Sequence, residues 1–174
     1  IIEIGGTEKN YGGGILIKNT NDLNFFQNVI FKNLNGNRDF VPEGYTTYGA
    51  INFFNSKVNF DNFSIENISS EDAINFVNSE ISVKNGIFKN IKSDAIDVDH
   101  GIGKIQKLQI LDVLNDGIDV SESKVDISEI YFNNIGDKSL SAGENSSVKI
   151  DNINILNSYL GIVSKDGSVV SGKN

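Results

Sequence analysis

Apolar and polar residues alternate in short runs along this chain, and the runs recur every 22 or 23 residues. Gly49-Ala50-Ile51-Asn52-Phe53, Asp72-Ala73-Ile74-Asn75-Phe76, Asp94-Ala95-Ile96-Asp97-Val98, Asp116-Gly117-Ile118-Asp119-Val120 and Lys138-Ser139-Leu140-Ser141-Ala142 are versions of one line. Self-similarity at a short fixed period marks a solenoid, in which each repeat buries its apolar face only against its neighbours.

Stacking the repeats gives vertical columns. A small residue (Gly14, Ala50, Ala73, Ala95, Gly117, Ser139, Gly161) precedes a branched apolar one (Ile15, Ile51, Ile74, Ile96, Ile118, Leu140, Ile162). Two residues on comes a second inward position: Ile17, Phe53, Phe76, Val98, Val120, Ala142. The residue between them (Leu16, Asn52, Asn75, Asp97, Asp119, Ser141) is expected to face outward. Period two predicts a strand with one buried face. Two further alternating runs, such as Val58/Phe60 and Phe63/Ile65, complete each coil. Three strands per turn of about 22 residues predict a parallel β-helix, all-β, of about seven coils with a strand spacing of about 4.8 Å. Helical periodicity is absent.

Asn33, Asn67, Asn90, Asp112, Asn134 and Asn157 form another column. An amide carries donors and an acceptor, so stacked Asn can bond from coil to coil as a ladder. An ionised Asp112 cannot donate, so it is expected to be partly exposed or to accept from both sides. Between Asn33 and Asn67 the spacing is 34 residues rather than 22, about 12 more than one repeat. The surplus falls in an insertion at 36–48, which holds the single Pro, the single Arg (Arg38) and two tyrosines, Tyr45 and Tyr48. Excursions from a rigid scaffold often carry recognition, so Arg38, Tyr45 and Tyr48 are candidate ligand contacts; a plain surface loop is the competing reading.

Composition narrows the function classes. With 15 basic and 23 acidic residues the net charge is −8, and the lysines are scattered, so a nucleic-acid partner is not expected. No run reaches the roughly 20 apolar residues of a membrane span. Cysteine is absent, so disulfides say nothing about compartment. The chain opens in a strand-like Ile1-Ile2-Glu3-Ile4 and ends without a polar cap, which reads as a piece of something longer whose ends stack on further coils or on another chain.

The acids cluster. Asp94, Asp97 and Asp99 belong to one coil, Asp116, Asp119 and Glu122 to the next, with Asp137 and Glu144 beyond. Stacking Asp97 on Asp119 and Asp94 on Asp116 sets like charges about 5 Å apart, which repel unless a proton, a lysine (Lys104, Lys138) or a hard cation intervenes. Oxygen ligands suit Ca²⁺, for which Asp97, Asp99 and Asp119 are candidate ligands. Bare repulsion tolerated by a stable stack, or a catalytic carboxylate pair, would also fit. Asp94, Asp97 and Asp119 are equally candidates for direct ligand contact. His100, the single histidine, follows Asp99 and reads as a turn residue more readily than as a base.

The lines Ser93–His100, Asn115–Ser121 and Gly136–Glu144 resemble the right-handed parallel β-helix repeats of the pectin-lyase-like superfamily. Gly136–Glu144 and Gly161–Ser168 are also similar to β-helix modules of large secreted bacterial proteins. The resemblance covers about Gly12 to Ser171 and implies an extracellular or cell-surface protein. Against the polygalacturonase motifs, Asp116 and Asp137 stand where catalytic acids would be. The second acid of the pair is Lys138, the Gly-His-Gly place reads Tyr159-Leu160-Gly161, and the C-terminal half has no Arg. Inverting hydrolysis needs an acid and a base flanking the bond. Asp116, Asp119, Asp137 and Lys138 are thus the candidate catalytic residues, and two functions stay open. One is a non-catalytic carbohydrate-binding or structural module. The other is a calcium-dependent lyase, epimerase or hydrolase-like enzyme acting on an acidic polysaccharide. Ice binding is set aside, because such surfaces want regular Thr ranks and this chain has four scattered Thr.

Overall fold

A computed structural model describes residues 1–36 and 46–173. The isoleucine columns become the inside of a parallel β-helix of about seven turns, without helix among the described residues. Its strands are β1 (Ile2–Gly5), β2 (Ile15–Leu34), β3 (Gly49–Ile68), β4 (Asp72–Val77), β5 (Glu80–Ile91) and β6 (Asp94–Asp99). They continue as β7 (Ile102–Val113), β8 (Ile118–Ser121), β9 (Lys124–Gly143), β10 (Ser147–Ser164) and β11 (Val169–Lys173). Every pairing is parallel, and β4, β6 and β8 lie side by side between β3 and β9.

The register follows the repeat. Ile15 pairs with Ile51, then Ile74, Ile96, Ile118, Leu140 and Ile162 in unbroken succession. The middle of this column is dry: Ile51, Ile74, Ile96 and Ile118 have no exposed surface, whereas Ile162 at its end is exposed. Phe60 is the centre of an aromatic cluster, its ring 4.7–6.5 Å from those of Phe26, Phe31, Phe53, Phe63 and Phe76. Full burial of each such side chain contributes roughly 1.5–3 kcal/mol before chain entropy is counted. Gly86 is required here, because a Cβ on it would lie 2.2 Å from Cζ of the Phe63 ring.

Strands in several coils are longer than the sequence suggests. β3 and β9 each run 20 residues, bending round the solenoid without losing their pairing. The bends are single residues in the left-handed region. Asn19, Asn55, Asn78, His100 and Glu122 make one corner column, and Asn28, Asn62, Asn85, Lys107, Glu129 and Asn152 a second. The expected Asn33-to-Asn157 column is the third, and φ lies between 46° and 62° throughout. Asn tolerates this conformation better than other side-chain-bearing residues, which explains its abundance.

The ladders form at these corners. Asn67 Nδ2 donates to Asn33 Oδ1 and Asn90 Nδ2 to Asn67 Oδ1, at 3.1 and 2.7 Å. Asn55 donates to Asn19, Asn78 to Asn55, and Asn62 to Asn28. Asp112 is exposed and accepts from Asn134 Nδ2 at 2.8 Å, one of the two situations expected for it. The third ladder slips at its end, where Asn157 donates to Asn133 rather than Asn134.

The expected outward row needs correction. Asn52, Asn75 and Ser141 point away from the core yet are at most 2 % exposed, while Asp97 and Asp119 between them are half-buried. Each is flanked by coils one strand spacing away, and Asn52 folds back to bond both backbone groups of Gly49. Of the insertion, Arg38 and Tyr45 lie outside the described residues; Tyr48 is exposed, with its carbonyl accepting from Asp72 N at 3.3 Å.

Candidate functional site

The acids gather on the face formed by β4, β6 and β8. Two lines of side chains run down it. One is Asn75, Asp97, Asp119, Ser141, in register as the repeat required. The other starts each strand: Asp72 pairs with Asp94, and Asp94 Oδ1 accepts from Asp116 N at 2.9 Å and from Asn115 Nδ2 at 2.5 Å. One coil on, Asp116 Oδ1 repeats the motif, accepting from Lys138 N at 2.9 Å. Asp94 and Asp116 thus each cap a backbone N–H of the next coil, whereas the N–H of Asp94 donates to the carbonyl of Glu71.

The lysine in this line closes the series. Lys138 Nζ lies 3.2 Å from both oxygens of Asp116, which is 3 % exposed, and also pairs with Asp137 Oδ2. The four candidate catalytic residues thus fall into one ion-paired group, Asp116, Asp137 and Lys138, with Asp119 beside it. Asp119 Oδ1 accepts from the N–H of Val120 at 2.9 Å.

Away from Lys138 the acids crowd one another. Asp72, 3 % exposed, is pushed up to about 9, first by burial and then by Asp97 and Asp94. Asp97 is pushed up to about 8 by burial, with Asp99 and Asp119 adding repulsion and the bond from Asn75 opposing. Asp94 rises to about 6, burial outweighing the N–H of Asp116. Burial also raises Asp99, and it raises Asp116 despite the three contributions from Lys138. Burial alone would lower the Lys138 ammonium; Asp137 and Asp116 outweigh it and hold the group above the usual lysine value.

Among the described residues, the acids that bring carboxylate oxygens within 4.8 Å of one another are Asp94, Asp116 and Asp119. This set shares only Asp119 with the triplet Asp97, Asp99, Asp119 expected from spacing. Lys104, considered as a counter-charge, sits on a different strand, in register with Asp126. His100 is a corner residue whose Nδ1 lies 3.0 Å from Glu122 Oε2.

Three members of the face were not singled out in the sequence: Asp72, Asn75 and Ser141. Their signal was present, since Asp72-Ala73-Ile74 occupies the same columns as Asp94-Ala95-Ile96. Asp72 Oδ2, Asn75 Oδ1 and Ser141 Oγ are buried and have no hydrogen-bond partner among the described residues. Beside the face, a groove of about 850 Å³ is lined by Tyr11, Ser69, Ser70, Glu71, Lys92 and Ser93 together with glycines and Asn35. Tyr11 is exposed at its edge. Among the described residues no helix is long and apolar enough to cross a membrane. Set against protein-family models, curated proteins and solved structures, the chain matches none of them.

Proposed function

We propose that this chain is a non-catalytic β-helix module of a secreted or surface protein, using its acidic face and the adjoining groove to bind carbohydrate or to serve as scaffold. The observation that carries this reading is the engagement of Lys138 with Asp116 and Asp137. Inverting glycoside hydrolysis needs a protonated acid and a free base on opposite sides of the scissile bond, about 6.5–9.5 Å apart. Here the two carboxylates in those places share one ammonium, so neither is free to attack or to activate water. A lysine acting as lyase base would have to be the neutral amine, and Asp137 and Asp116 favour the charged form of Lys138. The groove supports the binding half of the proposal: hydroxyl-bearing serines, an exposed tyrosine, one lysine and one glutamate are groups that pair with sugar hydroxyls and stack on sugar faces.

The test is a panel of acidic and neutral polysaccharides incubated with the protein, with Ca²⁺ or with chelator, while product length and retention on the immobilised polymer are followed. Retention without shortening is the expected result. Shortening of any polymer, lost in Asp119→Asn or Lys138→Ala, would replace this reading by the calcium-dependent enzyme.

A further inference from the structure

We infer that copies of this chain stack head to tail, the end formed by β10 and β11 in one copy receiving the end formed by β1 and β2 of the next, so that the β-helix continues from copy to copy. The inference goes beyond the module reading and does not rest on it. Each end leaves a strand edge bare. β1 pairs with residues 29–32 of β2, and among the described residues no strand lies against 15–27 on that side. β11 pairs with residues 147–151 of β10, and among the described residues none lies beyond 152–164. A bare edge is a row of unpaired N–H and C=O groups ready to take another strand.

The two edges complement each other. β1 lies in the column of Val29, Phe63, Gly86, Leu108, Ile130 and Ile153, which is uncovered at Ile153. In unbroken register, Ile2 of the next copy extends that column over Ile153, and Ile4 follows over Ile155. Ile15 of the next copy likewise falls on Ile162, the last member of its own column. One coil earlier the same inward positions, Ile130, Phe132 and Leu140, are 1 % exposed, whereas Ile162 is 41 % exposed. The next copy therefore removes from water the apolar groups that the last coil leaves wet.

Shape selects a second copy as the occupant. A hollow of about 450 Å³ opens at the β10–β11 end, lined by Ile150, Ile153, Ile155, Ile162 and Gly172 among others. Gly172 ends the column that runs from Phe26 through Phe60, Val83, Ile105, Ile127 and Ile150. Phe26 at the opposite end is only partly buried, so the ring that the next copy sets over Gly172 meets the hollow. The chain already seats a ring on a glycine in this way: Phe63 is paired with Gly86 and fills the space a Cβ would need. Beside this knob and hole, Leu23 and Val169 are both exposed and head the two ends of one column, so they too come together. A two-fold contact would set hollow against hollow; the fit is heterologous, and such contacts propagate.

The experiment is sedimentation velocity with light scattering on the full chain, from micromolar to near-millimolar concentration. Masses at integral multiples of the chain, growing with concentration, are expected. Leu23→Lys and Val169→Lys, one at each end, should each weaken association by about tenfold or more, the scale of losing a central apolar contact. An equimolar mixture of the two variants keeps one sound junction, Val169 of the first against Leu23 of the second, and should give a dimer that grows no further. General stickiness or a two-fold dimer would not show that rescue. If circular dichroism finds either variant unfolded, Phe25→Lys or Leu156→Lys, also at exposed positions of the same two ends, is read in its place. A monomer at every concentration, a dimer that survives either single variant, or a mixture that stays monomeric overturns the stack.

Discussion

Asn75 Nδ2 donates to Asp97 Oδ2 at 2.6 Å, against the repulsion of Asp99 and Asp119 on the same carboxylate. It is too little to keep the carboxylates ionised. Asp72 and Asp97, held near 9 and 8, are therefore protonated in the folded chain at neutral pH but ionised in the unfolded one. The folded state binds more protons over that interval, so stability falls as pH rises from about 4 towards 9 and is greatest on the acid side of the window. Urea midpoints measured from pH 5 to 9 should decline steadily. Asp72→Asn, neutral at every pH, should flatten the decline and raise the midpoint most at pH 8–9; a midpoint that climbs with pH would contradict the burial of Asp72.

Removing the lysine should expose what it neutralises. Lys138→Ala leaves Asp116 buried with only a backbone donor, a loss of roughly 1–3 kcal/mol by the usual cost of an under-satisfied buried acceptor. Adding Asp116→Asn to that variant should recover most of the loss. A double-mutant cycle in urea measures both, and additive losses would show that the two groups are not coupled.

The corners offer a way to stabilise the fold without touching its core. Glu129 sits at φ 56° in a column where four coils use Asn, and its pair with Lys107 is long and exposed at 3.9 Å. A residue other than Gly or Asn pays about 1–2 kcal/mol in this conformation. Glu129→Asn should therefore raise the melting temperature by about 2–4 °C for each kcal/mol recovered.

Asp112 gives the matched case inside a working ladder. It accepts from Asn134 but cannot pass a hydrogen bond back to Asn90. Asp112→Asn restores that donor and should melt at the same temperature as the parent or higher. A lower melting temperature would mean that the charge itself is needed there.

Ile96→Asp should abolish folding, because position 96 has no exposed surface and lies in the unbroken isoleucine column. That column is where the sequence was most legible. Ile51, Ile74, Ile96 and Ile118 announce their register because one physical demand, exclusion of water, accepts few residue types. The corners were half hidden for the opposite reason. A left-handed φ favours Asn but admits His100, Lys107, Glu122 and Glu129 at a cost, so two of the three corner columns lose their Asn signature midway. The acidic face was legible as a cluster but not as a geometry. Side-chain direction depends on which oxygen each acid gives to the backbone below, and Asp94 and Asp119 spend theirs in ways that spacing does not encode. Asn75 and Ser141 looked solvent-facing because alternation reports side, not depth.

The corner ladders all point one way: the Nδ2 of a later coil reaches back to an oxygen of the coil before it, from Asn55 to Asn19, Asn90 to Asn67 and Asn134 to Asp112. A completed coil therefore shows acceptors, and the coil still to come must bring the donors. That polarity matches the direction in which a ribosome delivers the chain. The stack can be laid down turn upon turn, each finished turn serving as template for the next, with no need to wait for the C-terminus before the first contacts become permanent.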